Sequence, residues 1–413
     1  MPLQKVNFQP GFNKQASDSG AENQWVDGDF VRFRYGMPEK VGGWQEIMDK
    51  KLVGAGRASH TWADLDGRKF LAIGTNKILY IYDGDDYYDV TPFDAALART
   101  GCDITTTNGS TTVTVTTPTA HDLEPGDLLT FDNAGSFTGG QTSYTAIDFD
   151  DILFEVQLAP TTSTFTILMP TAETGTGATN DGTLDSKPYY KIGPLQQAFG
   201  YGFGTGLYGA STWGTPRTTS TAILDPASWS LDNYGELLIA TIKNGATFSW
   251  DPDGGSGIAT RAAVISGAPT RSVMSMVSDR DRHLIILGTE TTIGSASTQD
   301  KMFIRFSDQE SLTDYTATSV NTAGSFRIDS GTKIVGAAKA KDYILILTDT
   351  SAYLMQFVGP PFTFSIRQVG SNCGCVGQHS IVYANGAVYW ISDSGGFFMF
   401  DGTVKALPSL VED

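Results

Sequence analysis

Five stretches of the chain repeat one order of apolar and polar positions. An apolar strand meets a short polar turn, a second strand follows and ends in an aromatic residue, and an Asp-Gly or similar turn closes the unit. They are Lys69–Gly84 (KFLAIGTNKILYIYDG), Glu236–Gly254 (ELLIATIKNGATFSWDPDG), His283–Asp308 (HLIILG…MFIRFSD), Tyr343–Phe357 (YILILTDTSAYLMQF) and Ala387–Gly402 (AVYWISDSGGFFMFDG). Short runs rich in Ile, Val, Leu and aromatics, bounded by Asn, Asp and Gly, read as strands, and the brief gap makes each stretch a β-hairpin. With the intervening segment described below removed, the copies recur at roughly 45–80 residues, the scale of propeller blades. The expected fold is all-β: a β-propeller-like body. Five copies and an N-terminal strand make a small ring, and Leu407–Asp413 (LPSLVED) supplies no closing strand. The body is therefore expected to be incomplete, or closed by residues beyond the end of this chain.

Composition agrees with the strands. Of 413 residues 46 are Gly and 49 are Thr, while charged residues make up only 18%. Thr favours strands and Gly favours turns, which argues against helical bundles and alternating βα units. The formal charge is −17, and it is unevenly spread. Residues 101–186 hold twelve acidic residues, no Lys or Arg, and 22 of the 49 Thr. Within them Thr111–Thr117 (TTVTVTT) alternates polar and β-branched positions, Leu128–Phe131 and Thr164–Leu168 read as further strands, and His121–Asp127 reads as a loop and turn. The expected organisation is an N-terminal segment with the first blade or blades over 1–100, an inserted acidic, Thr-rich β-barrel or sandwich over 101–186, and the remaining blades over 187–413. Such acidity also argues against tight duplex binding by counterion release, which needs clustered Lys and Arg.

Candidate chemistry is sparse. Gly204–Gly209 (GTGLYG) matches G-x-G-x-x-G, but neither a buried strand before it nor a helix after it is visible, so no dinucleotide cofactor is expected. Asp251-Pro252-Asp253-Gly254 opens like a calcium loop, yet Ala262 stands where an EF-hand needs Glu, and a hairpin turn is the better reading. Asp148, Asp150, Asp151 and Glu155 could hold a cation but more simply form a solvated acidic face. The four histidines (His60, His121, His283, His379) have no local nucleophile motif. Cys102, Cys373 and Cys375 are too few for a disulfide framework and lack partners for a zinc site, so free thiols in a protein made in a reducing cytoplasm are expected. No apolar run is long enough to cross a membrane as a helix. No catalytic, cofactor or metal residues are assigned, and the chain is not expected to be an enzyme.

Several runs carry a resemblance. Pro10–Trp44 (PGFNKQ…AENQWVDGDFVRFRYGMPEKVGGW), Trp229–Ala240 (WSLDNYGELLIA), Ile304–Gly324 (IRFSDQESLTDYTATSVNTAG), Val388–Gly402 and the final LPSLVED resemble virion structural proteins of tailed bacteriophages, broadly the tail nozzle and packaged-DNA stabilisation (tail hub) proteins. The insert, through STTVTVTTPTAHDLEPGDLLTF (Ser110–Phe131) and TSTFTI (Thr162–Ile167), resembles the first catalytic-cysteine half-domain fold of ubiquitin-activating enzymes, and no catalytic residue carries over. The resemblance implies a cyclic homo-oligomer, sixfold as in nozzles, in the virion tail around the DNA exit channel. It would retain and then conduct the genome without gripping it, with portal or adaptor proteins above and tail tip, fibres or spikes below. The aromatic and basic N-terminal residues Trp25, Phe30, Arg32, Phe33, Arg34, Tyr35 and Trp44 are the expected subunit interface, because aromatic and Arg residues are enriched there. The alternative is a host-recognition fibre or spike that binds surface glycans through the insert; a propeller hydrolase is a third reading.

Overall fold

Each of the five hairpins forms the central two strands of a four-stranded antiparallel sheet in the computed structural model, which describes residues 8–15, 17, 19–46, 50–135, 144–176, 182–199 and 223–408. The first sheet contains Gly56–Ala63, Lys69–Thr75, Leu79–Tyr82 and Tyr87–Asp89. The second contains Trp229–Tyr234, Leu237–Ile242, Thr247–Trp250 and Ala263–Val264, and the third Met274–Ser278, His283–Leu287, Phe303–Phe306 and Gly324–Arg327. The fourth contains Ile334–Lys339, Ile344–Thr348, Ser351–Gly359 and Thr363–Ser371, and the fifth Ile381–Ala384, Ala387–Ile391, Phe397–Phe400 and Val404–Leu407. In every sheet the strands follow chain order, which makes them blades of β-propeller type. The all-β, propeller-like expectation holds. Regular helix among the described residues is limited to three 3₁₀ turns of three residues each.

Burial explains why the inner strands were legible. His283–Leu287 and Ile344–Thr348 are buried at all five positions, so both faces demand apolar side chains. Outer strands such as Val404–Leu407 (VKAL) are half-exposed or exposed and carry no such run.

The chain divides into two compact units, 53–325 and a second made of 1–52 with 326–413; the division falls inside the last strand of the third blade. In the first unit Trp229 is fully buried and its indole N–H donates to the Thr75 carbonyl at 2.8 Å. This indole lies so close to Gly74 that a Cβ there would sit 2.4 Å from the ring, which leaves Gly as the residue that fits. Second and third blades are stitched by Thr241 and Ser275 hydroxyls 2.6 Å apart and by the Val277 N–H donating to Asp232 at 2.7 Å. In the other unit, fourth and fifth blades share a core with Leu345, Leu347, Val388 and Trp390, and the Trp390 indole donates to the Cys373 carbonyl at 2.8 Å. The three cysteines are buried and form no disulfide with one another, and burial pushes each thiol up from its usual value.

First and fourth blades repeat a corner. Thr75 and Thr348 end the second strand, and each hydroxyl accepts a backbone N–H of the following turn, from Ile78 and Ser351, at 2.8 Å. The next residues, Asn76 and Asp349, accept the N–H of Ala55 and Thr332, and the Tyr five positions after each Thr (Tyr80, Tyr353) accepts the N–H of Val53 and Ser330. The chain entering each of these blades is thus tied over its own turn.

Between first and second blades the chain builds a seven-stranded sheet in the order Phe154–Glu155, Leu128–Asp132, Leu184–Pro188, Arg99–Thr105, Thr112–Thr116, Thr164–Leu168, Leu158–Thr161. Its two edges are consecutive in sequence. Residues 154–161 leave the Leu128–Asp132 edge and pair at once with Thr164–Leu168, so the sheet closes into a small barrel. The sheet begins at Arg99 and ends at Pro188. Its core is its own: Val113 and Val115 point in while the alternating Thr point out, and they meet Phe131, Phe149, Phe154, Phe165 and Ile167.

Candidate functional site

The barrel is joined to the blades at one braced point. Its entry and exit run side by side, with Phe93 bridged to Tyr189, the Asp94 N–H donating to Pro188 at 2.8 Å and the Tyr190 N–H donating to Pro92 at 3.0 Å. Arg261, from the second blade's last connection, lies against both linkers. Its guanidinium is 4.5 Å from the Phe93 ring centre and 4.7 Å from that of Tyr189. It sits 3.0 Å from the Asp89 carboxylate and donates to the Thr91 carbonyl at 3.1 Å and the Tyr189 oxygen at 2.9 Å. The Tyr189 hydroxyl in turn donates to Asp89. Burial, and then the Asp89 charge, pushes this phenol far above its usual value, so it stays a donor at any physiological pH.

Further cations reach the barrel from outside residues 101–186, which contain none. Lys77, in the first blade's central turn, lies 2.7 Å from Glu155; Lys191 lies 2.9 Å from Asp127 and 3.4 Å from Glu124; Lys187 pairs with Asp132. The hydrogen bond from Lys187, helped by the Asn133 N–H, holds the Asp132 carboxyl below its usual value. Lys77 reaches the barrel from the first blade, whereas Lys187 ends the barrel's own last strand and Lys191 lies in the linker that follows it.

The acidic cluster does not converge. Asp148 accepts from the Thr145 N–H and hydroxyl at 2.7 and 2.9 Å, Asp150 accepts from the Ala134 N–H at 2.9 Å, and Glu155 turns to Lys77. Among the described residues no three His, Cys, Asp or Glu side chains are grouped to hold a metal ion. Asp251–Gly254 is the turn after the second blade's third strand, and Asp253 pairs with Arg68 at 2.8 Å. His60 lies 3.0 Å from the Asn233 side-chain oxygen and stacks on Trp62, His121 accepts the Leu123 N–H on Nδ1, and His283 Nδ1 is 2.7 Å from the Ser307 carbonyl oxygen. Gly204–Gly209 lies outside the described residues. A cleft of about 680 Å³ lies on the first blade, lined among others by Trp62, Lys69, Phe70, Tyr82 and Asp83.

The seven N-terminal residues separate into two groups. Val31–Arg34 pairs with Met37–Lys40 as a hairpin. Phe33 turns inward, 5.3 Å from the Phe12 ring and 6.4 Å from Trp25, so Trp25 and Phe33 form the inner packing of this small lobe. Arg32 and Arg34 face outward; Arg32 lies 3.2 Å from Glu39 and Arg34 lies over the Tyr35 ring. Phe30, Tyr35 and Trp44 are 80%, 93% and 102% exposed. Sequence reasoning singled out these seven residues but missed Arg261, whose partners Tyr189 and Thr91 lie 72 and 170 residues away in the chain and leave no local signal.

No family model matches the chain, and no curated protein matches it. Among solved structures it is similar to a phage phi92 endosialidase at 15% identity and a TM-score of 0.29, over 86% of this chain and 55% of that one. It is also similar to BamB from Moraxella catarrhalis, at 15% identity and a TM-score of 0.28, over 44% of this chain and 50% of that one. BBS1N in its complex with ARL6DN matches at 11% identity and a TM-score of 0.30, over 86% and 84% of the two chains. The chain thus spans about half the length of the first two.

Proposed function

We propose that the chain is a non-catalytic structural component of a bacteriophage tail. The observation that carries the reading is the pairing of stacked β-blades with a separately cored acidic barrel, fixed to them through the Arg261 brace. Such a body presents broad surfaces, and a net charge of −17 opposes gripping a passing duplex. The tail-protein motifs in Pro10–Trp44 and Ile304–Gly324 point the same way. In the finer reading the chain forms a ring at the DNA exit channel and meets portal or adaptor proteins on one side and fibres or spikes on the other.

A second reading has its own support. A barrel on two short, paired linkers is a displayed module, which suits a host-recognition fibre or spike that contacts a surface glycan. Immunogold labelling of purified particles with an antibody against the barrel tests both. Label at the tail supports the proposal, and unlabelled particles overturn it. A ring on the tail axis in cryo-EM images selects the nozzle; a trimer at the periphery selects the spike.

A further inference from the structure

The N-terminal hairpin holds exposed aromatics at a conformational cost. It turns through Tyr35 and Gly36, with φ of 50° and 77°. The fifth blade's first hairpin makes the same turn through Asn385 and Gly386, with φ of 51° and 85°. Asn suits this left-handed geometry and Tyr does not, so Tyr35 holds a strained backbone there. Phe30, at the other end of the same strand, also sits at a positive φ of 56°. Between them Arg32 and Arg34 face water. Local stability does not explain two strained, exposed aromatics flanking two arginines; a partner surface does.

Charge and shape on the chain itself say what that partner is. The barrel turn 146–152 (AIDFDDI) exposes Ile147 and Ile152, 82% and 42% accessible, beside Asp148, Asp150 and Asp151. Phe149 anchors the turn in the barrel core, so its exposed side is held in place. Two isoleucines among three carboxylates complement aromatics among Arg32, Arg34 and Lys40 in both apolar and ionic character.

We propose that the hairpin of one copy docks on the 146–152 turn of a second copy, its aromatics over Ile147 and Ile152 and its arginines against the aspartates. The two surfaces differ, so the contact is head-to-tail and generates a ring where the rotation closes. This deepens the tail reading by naming its subunit contact.

The test mixes full-length chain labelled with ¹⁵N and unlabelled full-length chain, joins them with a carbodiimide, and identifies the linked peptides by mass spectrometry. A Lys40–Asp link between peptides of different isotope composition supports the proposal. Links within one isotope only, links elsewhere, or a monomer at every concentration overturn it. Replacing Arg32 and Arg34 with Glu should weaken self-association at least about tenfold, and Asp148→Lys with Asp151→Lys on the second chain should restore it. Tyr35→Asn should weaken association while leaving the fold at least as stable; unchanged association would count against the proposal. The tail reading fails separately, if the chain is absent from particles while these links form.

Discussion

The barrel and the first three blades are built from the same element, the antiparallel strand, and solve its edge problem in opposite ways. The barrel's edges meet through residues 154–161, and the buried side chains of its core, among them Phe131, Phe149, Phe154 and Phe165, come from within the barrel. The blades keep their edges and bury their faces on one another, so their cores are shared: Trp229 belongs to the second blade but packs on Gly74 of the first. The barrel has no cations within 101–186, and its acids pair with Lys77 of the first blade, with Lys187 at the end of the barrel's own last strand and with Lys191 of the linker after it. A core drawn from one sheet suits a module that is carried; a shared core suits the body that carries it.

The largest expected effect separates the two cores. Phe165→Ala and Trp229→Ala should each cost about 3–5 kcal/mol, because each empties a fully buried aromatic site. Near-ultraviolet circular dichroism during heating should show Phe165→Ala lowering one transition and leaving the blade tryptophans native. Trp229→Ala should lower the other. A single transition that falls equally in both variants would erase the distinction.

Arg261→Ala comes next. It removes two ring contacts, an ion pair and two hydrogen bonds at a partly exposed site, worth about 1–3 kcal/mol together. Hydrogen exchange should rise in the linkers around Phe93 and Tyr189 and stay low in the Val113–Val115 strand. Protection lost throughout the barrel would mean that the brace also maintains its fold.

Smaller effects concern these lysines. Lys77→Met should cost no more than about 1 kcal/mol, as its pair with Glu155 is substantially exposed. Asp132 has a lowered folded value, so its contribution is complete above the unfolded carboxyl value near pH 4 and is lost as pH falls through the lower folded one. In Lys187→Met this acid-dependent loss should shrink; an unchanged acid profile in urea titrations would show that the pair contributes nothing.

Legibility in the sequence followed burial. ILILT in Ile344–Thr348 could be read because both faces are covered, and TVTVT in Thr112–Thr116 because only one is. The outer strands were missed because a half-exposed strand such as Val404–Leu407 tolerates any residue on its open face. The corner was in principle readable as Thr followed by Asn or Asp with Tyr five positions after the Thr, since Thr75-Asn76 with Tyr80 and Thr348-Asp349 with Tyr353 share it. The brace was not, because Asp89, Tyr189 and Arg261 meet only after the barrel has closed and returned its exit strand beside its entry. In the N-terminal segment aromatic content marked a surface but could not tell Phe33, packed inward, from Tyr35, strained and exposed.

The most direct test of the carried-module account is the thermal melt of residues 93–190 expressed alone, followed by far-ultraviolet circular dichroism. The account predicts a β-type spectrum and one cooperative transition, at the same temperature as the transition that Phe165→Ala lowers in the full chain. A disordered spectrum, or a broad melt without a transition, would contradict it.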